Sequence, residues 1–358
     1  MEFTRLPHSA PVPGATRDQA IADPGFGTVF TDHMISIDYD AGKGWHSPTL
    51  GPREPILLDP AASVLHYAQE IFEGMKAYRL EDGTMALFRP DANAKRFNKS
   101  AARLAMPELP EDVFIESVRQ VVKADADWFP SVGGGSLYIR PFMFANEHFL
   151  GVRPATKYKF LVILSPAGNY FKSGAPAVSV WVSDFTRAAP GGTGEAKCGG
   201  NYAASLVPTG EAFAKGHDQV VFLDAAEHKW IEELGGMNLF FVFDDDSVIT
   251  PPLRGTILPG ITRDSIITLA REQGLDMREE MYSIDQWRDD AASGRLVETF
   301  ACGTAAVVTA VGKVAGRDGE FTIGSGGPGH LTSTLREKLV GIQRGSVEDT
   351  HGWVTRLD

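Results

Sequence analysis

The sequence predicts an α+β protein of two domains, and three observations predict it. Short strand-like apolar runs are broken by frequent Gly/Pro turns. Two stretches carry the three-and-four spacing of a helix with one apolar face. Those helical stretches stand apart from the strand runs and do not alternate regularly with them, which is the α+β pattern. The length, 358 residues, allows about two domains at roughly 150 residues each. Hydrophobic residues make up 43% and charged residues 22%, a composition that fills a sizeable core and is too apolar for a disordered chain.

Taken in order, Asp91 follows Pro90 and is expected to cap a helix whose apolar positions are Phe97, Ala101 and Leu104. Arg96, Lys99 and Arg103 lie off that stripe. Phe160 to Leu164 reads as a short buried strand, and Val178, Val180 and Val182 alternate with Ser179, Trp181 and Ser183 as a half-buried one. Between them, Ser165 to Pro176 is rich in Pro, Gly and Ser, as interdomain linkers are. The expected division is therefore an N-terminal domain over 1–167, a linker over 168–177 and a C-terminal domain over 178–358. Further on, Leu239 to Phe243, the triplet Asp244 to Asp246, and Ser247 to Thr250 read as strand, solvated turn and strand. After Pro259-Gly260, a second helix carries Ile266, Leu269 and Ala270 on one face.

Composition excludes several function classes. With 46 acidic against 34 basic residues the net charge is -12, so bulk charge does not drive nucleic-acid binding. The two cysteines, Cys198 and Cys302, cannot form a disulfide framework. Met1 to Ala20 contains prolines but no apolar signal-peptide core. The longest apolar runs are five residues, against roughly 20 needed to span a bilayer. A cytoplasmic protein with no membrane and no nucleic-acid partner is expected. His-Glu-x-x-His and Gly-x-Ser-x-Gly are both missing and the nine histidines lack ligand-like spacing, so no metal is expected.

Three features remain as candidate chemistry. Gly191 to Gly200 is glycine-dense, but Lys197 stands between Ala196 and Cys198 and so lacks the Gly-Lys-Ser/Thr of a phosphate loop. On residues alone it reads either as a solvated turn or as a backbone that lets a ligand approach a nucleophilic lysine. Leu258 to Arg263 opens a helix, either as a plain start capped by Thr262 or as an anion site on the Ile261 and Thr262 amides. Glu298 to Ala305 is a strand-like run ending in small residues, a sign of close packing.

Together with further motifs in the same order, these features resemble the branched-chain aminotransferases, pyridoxal-phosphate enzymes of fold type IV. The resemblance runs from Phe26–Met34 to Arg344. It passes through Phe72-Glu-Gly-Met-Lys-Ala-Tyr78, Leu137-Tyr-Ile-Arg-Pro141, Lys197-x-Gly-Gly-Asn-Tyr202, Gly236-Met-Asn-Leu-Phe240, Leu258–Arg263 and Gly303-Thr-Ala305. It implies a two-domain fold with a smaller N-terminal and a larger C-terminal domain, the latter carrying the cofactor lysine.

By resemblance, Lys197 forms the Schiff base with pyridoxal 5'-phosphate and then shuttles the proton. Glu233 faces the pyridine nitrogen, with Glu232 pointing the other way on its strand. Tyr202 meets the cofactor's phenolic oxygen, and Arg96, Ile261, Thr262 and Thr304 hold the phosphate. Phe26, Phe72, Tyr138, Tyr170 and Ala305 surround an aliphatic side chain, while Tyr67, Leu150 and Val152 reach in from a partner subunit, which implies a homodimer. The α-carboxylate meets Tyr67 and the Thr304 and Ala305 amides, and Arg140 reads the γ-carboxylate of glutamate. The implied reaction moves an amino group between leucine, isoleucine or valine and 2-oxoglutarate. D-amino-acid aminotransferase and aminodeoxychorismate lyase share the fold but have generally shorter chains. A non-catalytic cofactor carrier would not need Lys197, Glu233 and Tyr202 together. The chain departs from some relatives in having Gly236 for Thr, and from the mammalian Cys-x-x-Cys pair in having Ala306 and Thr309.

Overall fold

The computed structural model describes residues 1–130, 134–168 and 176–357. The chain divides into two compact units, one of Met1–Lys172, Ala196–Gly199 and Ile342–Asp358, the other of Ser173–Glu195 and Gly200–Gly341. Most of the expected linker, 168–177, lies outside the described residues. The rest of the division differs from the expectation, because the lysine segment and the C-terminus join the first unit and make it the longer one. The reason is backbone pairing: Val354–Leu357 adds antiparallel to Met85–Phe88, and the Phe72 N–H donates to the Lys197 carbonyl at 2.9 Å.

Among the described residues each unit is built on a nine-stranded sheet. In the first, His33–Asp40, Lys157–Ala167, Ser136–Ala145 and Met75–Arg79 are consecutive neighbours, and Glu70–Phe72 pairs with Ser136–Ala145 off that path. The expected strand at Phe160 to Leu164 is the middle of Lys157–Ala167. Helices Pro90–Arg103 and Glu111–Ala124 bury Phe97 and Phe114, whose rings lie 5.5 and 6.0 Å from that of Phe160. The helix expected from Asp91 is present, but Asp91 does not cap it. Pro90 takes the first turn, and Arg89 stands at the cap with φ 49°; Asp91 is left at the surface beside Lys95. Proline has no N–H to satisfy, so the first turn needs one donor partner fewer.

In the second unit, Ile231–Leu234 pairs with both Gln219–Leu223 and Met237–Phe243. Six strands therefore close on themselves: these three with Ala177–Val182, Val307–Gly316 and Leu296–Gly303. Closure leaves those six strands without a free edge at the seam, while Ser247–Thr250, Asp276–Glu279 and Gly319–Thr322 extend the sheet outside the ring. Phe240 and Phe300 stack inside it, with ring centroids 4.9 Å apart. The expected hairpin is Met237–Phe243 with Ser247–Thr250, in the register Phe241 to Ile249. Its turn residues Asp244 to Asp246 are exposed, and no group of three metal-ligating side chains occurs among the described residues. Helix Ile261–Glu272 buries Ile266, Leu269 and Ala270 as expected. Among the described residues no helix is long and apolar enough to cross a membrane. Cys198 and Cys302 are buried and unpaired.

Candidate active site

In the first unit, Lys197 is held at its own backbone. The Phe72 N–H donates to its carbonyl, the Lys197 N–H donates to Ser100 Oγ at 3.0 Å, and the Gly199 N–H donates to Glu70 Oε1. Three anchors across three residues fix where the side chain starts. Its Nζ lies 5.0 Å from the centre of the Phe72 ring, and the Arg140 guanidinium lies 4.8 Å from the same ring. Tyr138 and Arg140 share one face of Ser136–Ala145, as strand alternation requires, and Arg140 Nη2 donates to Tyr138 Oη at 3.2 Å. Phe26 meets Tyr138 edge to face at 4.9 Å. A Cβ at Gly74 would run into the Tyr138 hydroxyl, so glycine there gives Tyr138 its place. The structure thus brings Phe26, Phe72, Tyr138, Arg140 and Lys197 together.

Arg96 is buried, although its helical position reads as solvated. It grips Glu73 with Nε at 2.7 Å and Nη2 at 2.8 Å, and Asn93 Nδ2 donates to the same carboxylate at 2.7 Å. Glu73 is fully buried. Burial pushes its carboxyl up, but the Arg96 and Lys197 charges and the Asn93 amide outweigh that and hold it below the ordinary value. Tyr67 is 38% exposed, with its hydroxyl on the Leu150 carbonyl, and Leu150 and Val152 are 66% and 88% exposed. Tyr170 lies outside the described residues.

In the second unit, both glutamates of Ile231–Leu234 are buried. Glu232 accepts from Thr256 Oγ1 at 2.5 Å, at a point where the strand register shifts between Phe222 and Leu223. Glu233 accepts from the Leu258 N–H through Oε1, and its Oε2 is 3.5 Å from Arg187 Nη2. Arg187 is buried, its guanidinium 5.9 Å from the centre of the Tyr202 ring. It donates through Nη1 to the Thr256 carbonyl at 3.2 Å, yet its Nε and Nη2 have no hydrogen-bond partner. Two buried donors beside a carboxylate and a phenol suit a polar aromatic group. A Cβ at Gly236 would lie 3.4 Å from Tyr202 Cε1, ordinary contact, so glycine leaves the flank of that phenol open.

Helix Ile261–Glu272 starts at Gly260, which offers no side-chain cap. Thr262, expected as the cap of a plain helix start, is inside the first turn and buried. An uncapped N-terminus keeps its positive end available to an anion. Asn238 Nδ2 donates to the Leu258 carbonyl at 3.2 Å, and a Cβ at Gly260 would strike its carbonyl oxygen, so the turn into the helix is tightly set. Thr304 and Ala305 follow strand Leu296–Gly303, two residues before Val307 at φ 63°. That conformation is strained for a β-branched residue, and such strain gathers at functional loops. Glu70, Glu73 and Asn93 in the first unit, and Arg187 in the second, were not expected from the sequence. Arg187 alone carried a local signal, a charged side chain just ahead of the small residues leading into the glycine-dense segment.

Comparison with known proteins agrees. The family model "Amino-transferase class IV" matches residues 70–314. A branched-chain-amino-acid aminotransferase of Mycolicibacterium smegmatis is 54% identical over 363 residues, covering 100% of this chain and 99% of that protein. Among solved structures, the branched-chain amino acid aminotransferase of Escherichia coli is 31% identical with a TM-score of 0.74, over 91% of this chain and 99% of that one. The T.th. branched-chain amino acid aminotransferase complexed with N-(5'-phosphopyridoxyl)-L-glutamate is 29% identical with a TM-score of 0.73, over 90% and 98%. A match that takes in the lysine segment, Glu233 and the Leu258–Arg263 turn in one alignment leaves no other assignment, and the chain belongs to the class IV aminotransferase family.

Proposed function

We propose that this chain transfers an amino group between leucine, isoleucine or valine and 2-oxoglutarate, with pyridoxal 5'-phosphate as carrier. One observation carries the reading: the lysine of the family motif shares the Phe72 ring with the Arg140 guanidinium, in a wall to which Phe26 and Tyr138 add their rings. Such a wall takes an aliphatic side chain by burial of apolar surface and an acidic one by an ion pair. The cofactor, when bound, supplies the electron sink that amino-group transfer needs. Lys197 binds it covalently and moves the proton at the substrate Cα. Glu233, backed by Arg187, would hold the ring nitrogen, and Tyr202 would hold the phenolic oxygen. In the second unit Ile261, Thr262 and Thr304 would take the phosphate.

Phe26, Phe72, Tyr138, Tyr170 and Ala305 frame the side chain, and Tyr67 with the Thr304 and Ala305 amides meets the α-carboxylate. Tyr67, Leu150 and Val152 serve the site of a second copy, in a homodimer; the exposure of Leu150 and Val152 supports that reading. The test is spectroscopic. Purified holoenzyme should lose its cofactor absorbance band when an L-branched amino acid is added with no oxo acid, and regain it with 2-oxoglutarate. A band unmoved by leucine, isoleucine and valine would refute the reading.

A further inference from the structure

Arg140 poses an electrostatic problem that the aromatic wall does not solve. With an aliphatic side chain bound, a half-buried guanidinium needs a negative charge from the protein, because an uncompensated charge away from water is costly. Tyr138 Oη takes one of its donors, but Nε is buried with no hydrogen-bond partner. The register places a carboxylate on the same sheet face, beyond direct ion-pair distance of the guanidinium. Glu70 lies opposite Phe144, and Phe72 opposite Phe142, across the pairing of Glu70–Phe72 with Ser136–Ala145. Alternation then puts Glu70 on the same sheet face as Phe72, Arg140 and Tyr138. The carboxylate of Glu70 also holds the Gly199 N–H, two residues beyond Lys197. Only glycine allows this approach, since a Cβ at Gly199 would run into that carboxylate.

We propose that Glu70 is the resident counter-ion of Arg140 and a specificity-determining residue: it balances the guanidinium when the bound side chain is aliphatic, and an acidic side chain binds by competing with it. The proposal rests on the reading of Arg140 given above. Two effects act on the Glu70 carboxylate in opposite directions. Burial raises its carboxyl above the ordinary value, while the Gly199 N–H and the Arg140 charge pull it back. The same residue positions the lysine segment, so its two contacts can be separated chemically. Glu70→Gln keeps an oxygen for the Gly199 N–H and loses the charge. Glu70→Asp keeps the charge and loses reach.

The experiment measures binding of two amine-free analogues, glutarate and 4-methylvalerate, to holoenzyme by titration of its absorbance. It also measures kcat/KM for glutamate and leucine. Glu70→Gln should shift the preference toward glutarate and glutamate by about tenfold, the equivalent of one well-placed charge interaction. Glu70→Asp should keep the wild-type preference, with any loss falling equally on both ligands. An unchanged preference in Glu70→Gln, or the same shift in Glu70→Asp, overturns the proposal. Arg140→Met, run alongside, tells the two ideas apart. Weaker glutarate binding with 4-methylvalerate unaffected upholds the role of Arg140 whatever Glu70 shows. Equal losses for both ligands remove that role, and the role of Glu70 with it.

Discussion

On the proposed function Lys197 is one side chain asked to do two things, and the three backbone anchors around it explain how a glycine-dense segment holds it steady. Lys197→Ala leaves those backbone bonds and the anion-binding groups in place. The variant should therefore bind cofactor without a covalent link, while turnover falls by at least the roughly 10² to 10⁴ that a positioned proton carrier contributes. Reduction with borohydride followed by mass analysis checks the link, and near-normal transamination by the pure variant would remove Lys197 from its role. Glu233 has its Oε1 on the Leu258 N–H and its Oε2 toward Arg187. Glu233→Gln retains an acceptor for the amide but takes away the charge opposite Arg187, the charge that the proposed function assigns to the ring nitrogen. The half-reaction with leucine should slow by orders of magnitude while cofactor stays bound; rates equal to wild type in a stopped-flow trace would mean that another residue serves that nitrogen.

Elements were legible in the sequence where their signal is local. The hairpin around Asp244 to Asp246 and the helix after Pro259-Gly260 announce themselves by periodicity within a dozen residues, and both are present. The Tyr138 and Arg140 pair came from the resemblance, and strand alternation puts both on one face. What was not legible depends on register between distant segments. Arg96 reads as a solvated helix position because its partner, Glu73, is 23 residues away and meets it only once the helix packs on the sheet. Glu70 and Gly199 are 129 residues apart, and no spacing rule joins them. One local signal went unread: Ser283-x-x-Gln286 opens helix Ile284–Ser293 as a capping box, with Ser283 Oγ accepting the Gln286 N–H at 3.1 Å and Gln286 Oε1 accepting the Ser283 N–H at 3.0 Å. Ser283→Ala should lower stability by about 1 kcal/mol, seen as an earlier urea midpoint with kcat unchanged. An unmoved midpoint would show that the packing of Trp287, and not the cap, holds this helix.

The response of the whole molecule to acid follows from carboxylates of opposite sign. Glu147 is held down to about 2, chiefly by the Arg153 hydrogen bonds, and Asp224 to about 2, where four backbone N–H groups outweigh the rise from burial. In Glu73, burial pushes up, but Arg96, Lys197 and Asn93 pull the net value below the ordinary 4.5. A carboxyl whose folded value is depressed adds stability that is fully present above its unfolded value and is lost as pH falls through the folded one. Glu70 and Glu232 have folded values raised by burial, so they cost stability at neutral pH, and that cost fades on acidification. Glu73 is the decisive group of the five because it is fully buried with a bidentate arginine, and removing one partner of such a pair costs about 3–5 kcal/mol. At pH 7 Glu73→Gln should therefore unfold at distinctly lower urea than wild type. The gap between them should hold down to about pH 4.5 and narrow below it, as wild type takes up the proton that the glutamine variant cannot bind. Urea midpoints of both proteins at a series of pH values measure this. A gap that stays constant well below pH 4.5 would mean that Glu73 contributes through shape and hydrogen bonding alone, with its charge adding nothing to the pairing with Arg96.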